Sequence, residues 1–160
     1  MTSITTHRVR AVAATLAVLA AVPAVGRAQT SCQGEPSGAK LHMVVEGLRS
    51  DKGVMTATIY GDDPAKFLKK DGDLQVWRAD AHMPTMDMCF WLPGPSVYAV
   101  VLYHDTKRVY HFTRGTFGPT QDYGFSRNPT IFFAPPSLAA TRFEAKAGDT
   151  TIHIRLKRAF

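Results

Sequence analysis

From Lys40 onward, apolar and polar residues alternate with a period near two. Leu41, Met43 and Val45 alternate with Lys40, His42 and Glu46, the pattern of a half-buried strand. Gly47 to Gly53 supplies a turn, and Val54 to Tyr60 alternates again before Gly61, so the two runs read as a β-hairpin. Asp62 or Asp63, with Pro64 behind it, is placed to cap a short helix running to about Lys70, with Phe67 and Leu68 as its buried contacts. Leu74 to Ala81 and Thr85 to Phe90 read as the next two strands. After the tight turn Leu92 to Ser96, Val97 to Tyr103 is the most hydrophobic strand, and its near-continuous apolar run predicts a central place.

Residues 104–130 break the alternation with polar and aromatic side chains and with Gly115, Gly118, Pro119, Gly124 and Pro129, which predicts a long connection. Arg142 to Lys146 and Thr150 to Leu156 then read as a last hairpin across Ala147-Gly148-Asp149. About seven short strands separated by turns predict an all-β fold, an antiparallel β-sandwich with one short helix and one long loop. Twelve Gly and ten Pro in 160 residues agree with so many turns, and the chain shows no repeat or low-complexity tract.

The first residues follow a different rule. His7, Arg8 and Arg10 form a basic leader, Ala11 to Val25 is apolar apart from Thr15 and Pro23, and Gly26 and Ala28 are small. That order is the pattern of a secretory signal peptide cut after Ala28, and the apolar run is shorter than the ~20 residues needed to span a bilayer. Residues 1–28 are therefore expected to be removed, leaving one domain over 29–160 in the periplasm or outside the cell, with no membrane span. The three basic residues lost are Arg8, Arg10 and Arg27, with no acid, so the formal charge falls from +6 to +3. The remaining basic residues are dispersed, which argues against nucleic acid as a partner.

Export changes the meaning of the two cysteines. In an oxidising compartment Cys32 and Cys89 read as a disulfide, worth roughly 4 kcal/mol in the chain-entropy account. It would tether the Gly- and Ser-containing stretch Ser31 to Gly38. A free catalytic thiol is the alternative, and no adjacent histidine is present to serve as its base.

Motifs for phosphate, zinc or nucleophile-elbow chemistry are absent from the sequence. His104 and Asp105 are adjacent, so on a strand they point to opposite faces and are poorly placed to pair with each other. His82, Met83, Met86 and Met88 combine an imidazole with soft thioethers, the ligand set of a Cu(I) site. Met86 and Met88 also lie at strand spacing with Phe90, as core residues would. Tyr103, Tyr110, Phe112, Phe117, Tyr123 and Phe125 either line a groove or anchor the long loop.

Several stretches together resemble the exported bacterial family filed as domain of unknown function 2141. They are Val45 to Gly53, Leu92-Pro93-Gly94 with Tyr98-Ala99-Val100, His104-Asp105, and Gly118-Pro119-Thr120 leading into Tyr123-Gly124-Phe125-Ser126-Arg127-Asn128-Pro129. The resemblance covers about Lys40 to Leu156. It implies a compact transthyretin- or immunoglobulin-like sandwich outside the cytoplasm, and it implies no reaction. Many members continue from His-Asp into a run resembling a calcium loop. Here Lys107 and Val109 stand where oxygen ligands would be wanted, and Tyr110 where the turn prefers Gly, so calcium is not expected. Arg127 likewise replaces what is commonly Asn in the family's turn.

The first expectation for function is a non-enzymatic binding or interaction module with no cofactor. It would present the loop from His104 to Asn128, with His104, Asp105, Tyr123, Gly124, Phe125, Ser126 and Asn128 as the binding candidates. Its partner would be a protein or small-molecule ligand of the cell envelope. The alternatives are a periplasmic copper-binding protein using His82, Met83, Met86 and Met88, and a hydrolase working through His104, Asp105 and Ser126.

Overall fold

The computed structural model describes residues 32–159, so the expected leader over 1–28 lies outside the described residues. The elements in chain order are β1 (Ala39–Glu46), β2 (Val54–Gly61), β3 (Gln75–Asp80), β4 (Thr85–Trp91), β5 (Ser96–Asp105), β6 (Arg114–Gly115), β7 (Gly118–Pro119), β8 (Tyr123–Phe125), α1 (Leu138–Thr141), β9 (Phe143–Ala145) and β10 (Gly148–Arg155). One sheet has the order β10-β1-β4. A second has the order β3-β2-β5-β8, with β9 also paired to β5, and β6-β7 form a separate two-stranded ribbon.

Alternation explains which side of each strand is covered. In β1 every second residue is fully buried, and Met86, Met88 and Phe90 do the same in β4. These side chains join Met55, Ala57 and Ile59 of β2 and Val100 and Leu102 of β5 in one core drawn from both large sheets. A smaller cluster of Tyr60, Phe67, Ala99, Phe125 and Leu138 uses the intervening positions of β2 and β5. Strand β5 is thus covered on both faces, which accounts for its nearly unbroken apolar run and its position between β2 and the pair β8 and β9.

Three local expectations are corrected. The two expected hairpins do not form, because each pair of runs is divided between the sheets. Strand β1 pairs with β4 and β10, whereas β2 pairs with β3 and β5. Gly47 and Gly53, at φ 86° and 81°, let the connection leave one sheet for the other. Similarly, β9 joins β5 while β10 runs parallel to β1, from Ala39 opposite Gly148 to Glu46 opposite Arg155. The strand pairing is therefore mixed and not wholly antiparallel.

The expected helix after Asp62 is a succession of turns. Asp63 does accept N–H groups as a cap, its Oδ1 from Ala65 at 2.9 Å and its carbonyl from Lys66 and Phe67 at 3.1 Å. Leu68 and Asp71 then adopt φ 58°, which stops helical propagation. Phe67 is buried as expected, whereas Leu68 is 38% exposed. The short helix lies at Leu138–Thr141 instead, followed by Arg142 in extended conformation.

Cys32 and Cys89 form a disulfide with their Cα atoms 4.5 Å apart. The residue after Cys32 is fixed independently. Gln33 donates its N–H to the Cys89 carbonyl at 2.9 Å and accepts the Trp91 N–H at 2.8 Å. Among the described residues no helix is long and apolar enough to cross a membrane.

Candidate functional site

The turn after β1 and the segment that follows β5 converge at one end of the five-stranded sheet. His104 is buried and its Nε2 lies 2.8 Å from the Lys52 carbonyl, while its backbone N–H donates to Asp122 at 2.8 Å. Gly53 packs so tightly on β5 that an added Cβ would collide with the Asp105 carbonyl oxygen. Arg49 reaches Asp122 with both Nε, at 2.8 Å, and Nη2, at 2.5 Å, and Asp122 also accepts the Ala159 N–H at 2.8 Å. Burial pushes the Asp122 carboxyl up, but its bonds from Arg49 and Ala159 outweigh that and hold it below the usual carboxylate range.

Asp105 organises the next turn. Its side chain is inaccessible, and Oδ2 accepts the Tyr110 N–H at 2.6 Å. Burial alone would raise its pKa, whereas the amides of Tyr110, Val109 and Lys107, together with the Gln121 side chain, lower it overall. Wrapping the chain around one carboxylate requires left-handed residues, found at Arg108 and Tyr110. Arg108 then bonds Asp80 at 2.7 Å, which moors this turn to the edge strand β3. Gln121, also buried, accepts the Thr113 N–H at 2.8 Å and donates to the His111 carbonyl at 3.3 Å.

Beyond this polar junction lies an aromatic floor. Tyr103 meets Phe112 edge-to-face at 5.6 Å, Phe112 meets Tyr123 at 6.3 Å, and Tyr123 meets Phe125 at 6.1 Å. Tyr123 is pinned further by exchanging two backbone hydrogen bonds with Lys157. Above the floor is a groove of about 360 Å³ between the β6-β7 ribbon and residues 131–135. Its rim carries Phe117, Phe132 and Phe133, which are 87%, 81% and 102% exposed. A second, shallower cleft of about 710 Å³ lies between residues 34–37 and β3, with the buried Trp77 Nε1 and Gln75 Oε1 lacking hydrogen-bond partners among the described residues.

The residues singled out in the sequence separate into distinct roles. Tyr123 and Phe125 are the groove's floor. Gly124 gives Ile154 the space that a Cβ would occupy. Ser126 is fully buried; its Oγ accepts the Val100 N–H at 2.9 Å and donates to the Thr141 carbonyl at 2.5 Å. Asn128 docks on β10, donating to the His153 carbonyl at 3.0 Å and accepting the Arg155 N–H at 2.8 Å. His104, Asp105 and Ser126 therefore each serve a different backbone segment, and the structure does not bring them together as a nucleophile, a base and its partner.

Of the copper set, Met86 and Met88 belong to the core, whereas His82 is exposed and Met83 is 45% exposed. Two of the four donors thus face the interior and two face solvent. The sequence reading missed Arg49, Asp122 and Gln121, because a single charged or amide residue carries no periodic signal. It missed Phe132 and Phe133 by ending the loop at residue 130. The Phe-Phe pair bracketed by Pro129 and Pro135-Pro136 was the available signal, since two adjacent aromatic residues between prolines suit no regular strand.

A family model described as "Uncharacterized protein conserved in bacteria (DUF2141)" matches residues 43–153. No curated protein and no solved structure matches the chain.

Proposed function

The chain belongs to the DUF2141 family of bacterial proteins, and for this member we propose an exported, non-enzymatic β-sandwich module that binds an apolar partner of the cell envelope. In this reading residues 1–28 are the leader, residues 29–160 form one domain, and the two large sheets are the layers of the sandwich. The basic-then-apolar leader and the Cys32–Cys89 disulfide support an extracytoplasmic home.

The observation that carries the binding role is the cluster of Phe117, Phe132 and Phe133 at the rim of the groove. Large exposed apolar patches mark interaction sites, and aromatic residues are enriched in them. The floor beneath is rigid, because Tyr123 is held by its aromatic neighbours and by Lys157. The hydrophilic motif residues His104, Asp105 and Ser126 are occupied in building that support, which favours a scaffold role for them over a chemical one.

A photoreactive phenylalanine analogue placed at position 117 or 133 in intact cells tests the reading. A discrete cross-linked species is expected from these positions and not from position 69 on the turn after β2. Cross-linking at 117 and 133 no greater than at 69 overturns it.

A further inference from the structure

The outer face of the three-stranded sheet carries a second group of chemically active side chains, unrelated to the aromatic groove. His42 of β1 lies opposite Cys89 of β4 in the strand register, and its Nε2 is 3.9 Å from the Cys89 sulfur. Cys32, His42 and Cys89 present one donor atom each, all within 4.8 Å of one another. On the other side of the imidazole, Asp149 of β10 places Oδ1 3.3 Å from the same Nε2. Two sulfurs and one imidazole nitrogen thus meet on one sheet face, with the Asp149 carboxylate beside the imidazole but outside that 4.8 Å cluster.

We propose that reduction of the Cys32–Cys89 disulfide creates a zinc site made of Cys32, Cys89 and His42, with Asp149 as the fourth ligand. Two thiolates with nitrogen and oxygen donors suit a borderline-soft, tetrahedral cation. With ordinary zinc bond lengths, tetrahedral ligands stand roughly 3.3–3.8 Å apart. The His42–Asp149 and His42–Cys89 distances are already close to that range. The two sulfurs must separate, and the Asp149 side chain must turn from Lys40 toward them.

Disulfide and metal are mutually exclusive occupants of these sulfurs. A dithiol reductant transfers two electrons and two protons to the disulfide and becomes a disulfide itself, leaving two cysteine thiols. Zinc then binds both as thiolates and releases two protons. Reoxidation by a disulfide reverses this: it takes two electrons from the thiolates and two protons from water, becomes a dithiol, and the rejoined sulfurs release the ion.

What keeps the site assembled without the covalent bond is the backbone. Gln33 is hydrogen-bonded to Cys89 and Trp91 through its own N–H and carbonyl, so Cys32 stays beside β4 after reduction. His42 and Asp149 sit on β1 and β10, which are paired along their whole length. Lys40 is the competing group, with Nζ 3.2 Å from Asp149 Oδ1, and it must release that oxygen to the ion. Its ammonium also lies 4.9 Å from the Trp91 ring centre, an interaction it retains when the carboxylate turns away.

Zinc titration of the purified protein, oxidised and then reduced without oxygen, tests the site, and cobalt substitution reports its geometry. The reduced form is expected to bind one zinc at least ~100-fold more tightly than the oxidised form. Its cobalt derivative should show tetrahedral bands with thiolate charge transfer. His42→Ala and Asp149→Asn, both at solvent-facing positions, should each weaken zinc binding by about tenfold or more while the oxidised variants keep the wild-type circular dichroism. If reduction unfolds the chain, zinc must restore that spectrum. Equal affinity in the two redox states, an affinity unmoved by both substitutions, or a reduced chain that zinc does not refold each overturns the proposal.

Discussion

In the core drawn from both large sheets, Leu41, Met43, Ile59, Phe90 and Leu102 are buried against other apolar side chains, whereas the chain beyond His104 is held by buried polar ones. Asp105 accepts the Tyr110 amide through Oδ2, Gln121 binds residues 111 and 113, and Asp122 collects Arg49 and Ala159. The first kind of burial is non-directional and needs only shape and volume. The second needs particular donors at particular angles, because a buried group left without a partner is costly. That contrast explains how a His-Asp strand end and a buried serine can resemble catalytic residues while holding a loop. It also leaves Phe117, Phe132 and Phe133 outside the polar network that orders the segment.

The sharpest way to break the contrast is to damage the core itself. Phe90 is fully buried and stacks on Trp77 with ring centres 5.9 Å apart, so Phe90→Ala should cost about 4 kcal/mol. Denaturant unfolding should show the loss, and amide exchange should accelerate in both large sheets together. Replacing Cys32 and Cys89 by alanine should cost somewhat less, about 3 kcal/mol, because residual structure in the unfolded chain reduces the roughly 4 kcal/mol of the chain-entropy account. The amides bonded around Gln33 should keep part of their protection, since those hydrogen bonds do not require the sulfurs.

The same contrast governs what could be read from the residues. The strands β1, β3, β4 and β5 were legible because their apolar positions repeat, and Phe67 was recognisable as a core contact. Pairing was not legible, because alternation identifies a buried face without choosing a neighbour: β1 and β2 each show one, yet they lie in different sheets. The turns after Asp62 misled because Asp63 has the chemistry of a helix cap, and the left-handed Leu68 has no sequence marker. In the candidate site, Tyr123, Phe125 and Asn128 stood out by composition. The Arg49–Asp122 pair joins residues 73 positions apart, and only the fold brings them together.

Asp105→Ala isolates the polar mode of burial. Removing the carboxylate leaves the Tyr110 N–H without its acceptor and should cost roughly 2–3 kcal/mol. Unlike Phe90→Ala, it should accelerate hydrogen exchange first in residues 106–121, with the β1-β4 amides changed least. An even acceleration across the molecule would show that the segment and the sheets unfold as one unit.

Asp122→Asn is a milder lesion, about 1 kcal/mol at neutral pH, because Arg49 remains half in solvent and the amide oxygen still accepts a bond. Its diagnostic is the pH dependence. The folded-state pKa of Asp122 lies below its ordinary value, so its ionisation favours the folded state fully above the ordinary carboxylate pKa of about 3.9. That contribution is lost as the pH falls through the lower folded-state value. Acid titrations of stability should therefore be steeper below about pH 4 in the wild type than in Asp122→Asn. Equal slopes would place the acid sensitivity on Asp105 and the other carboxylates.

The smallest effect on stability is expected where the effect on binding is largest. Phe117, Phe132 and Phe133 expose nearly all of their side-chain surface, so replacing all three with serine removes little buried area. Each change should stay within about 0.5 kcal/mol, and the slow-exchanging amides of both sheets should be untouched. The same triple variant should lose the cross-links formed from a photoreactive residue at position 112, which lies on the groove's floor. A large drop in stability would mean that the aromatic rim belongs to the folding unit, and the division between scaffold and binding surface would fall. Unchanged stability with lost cross-linking separates the two, since the polar junction and aromatic floor would remain intact while the surface they support no longer holds its partner.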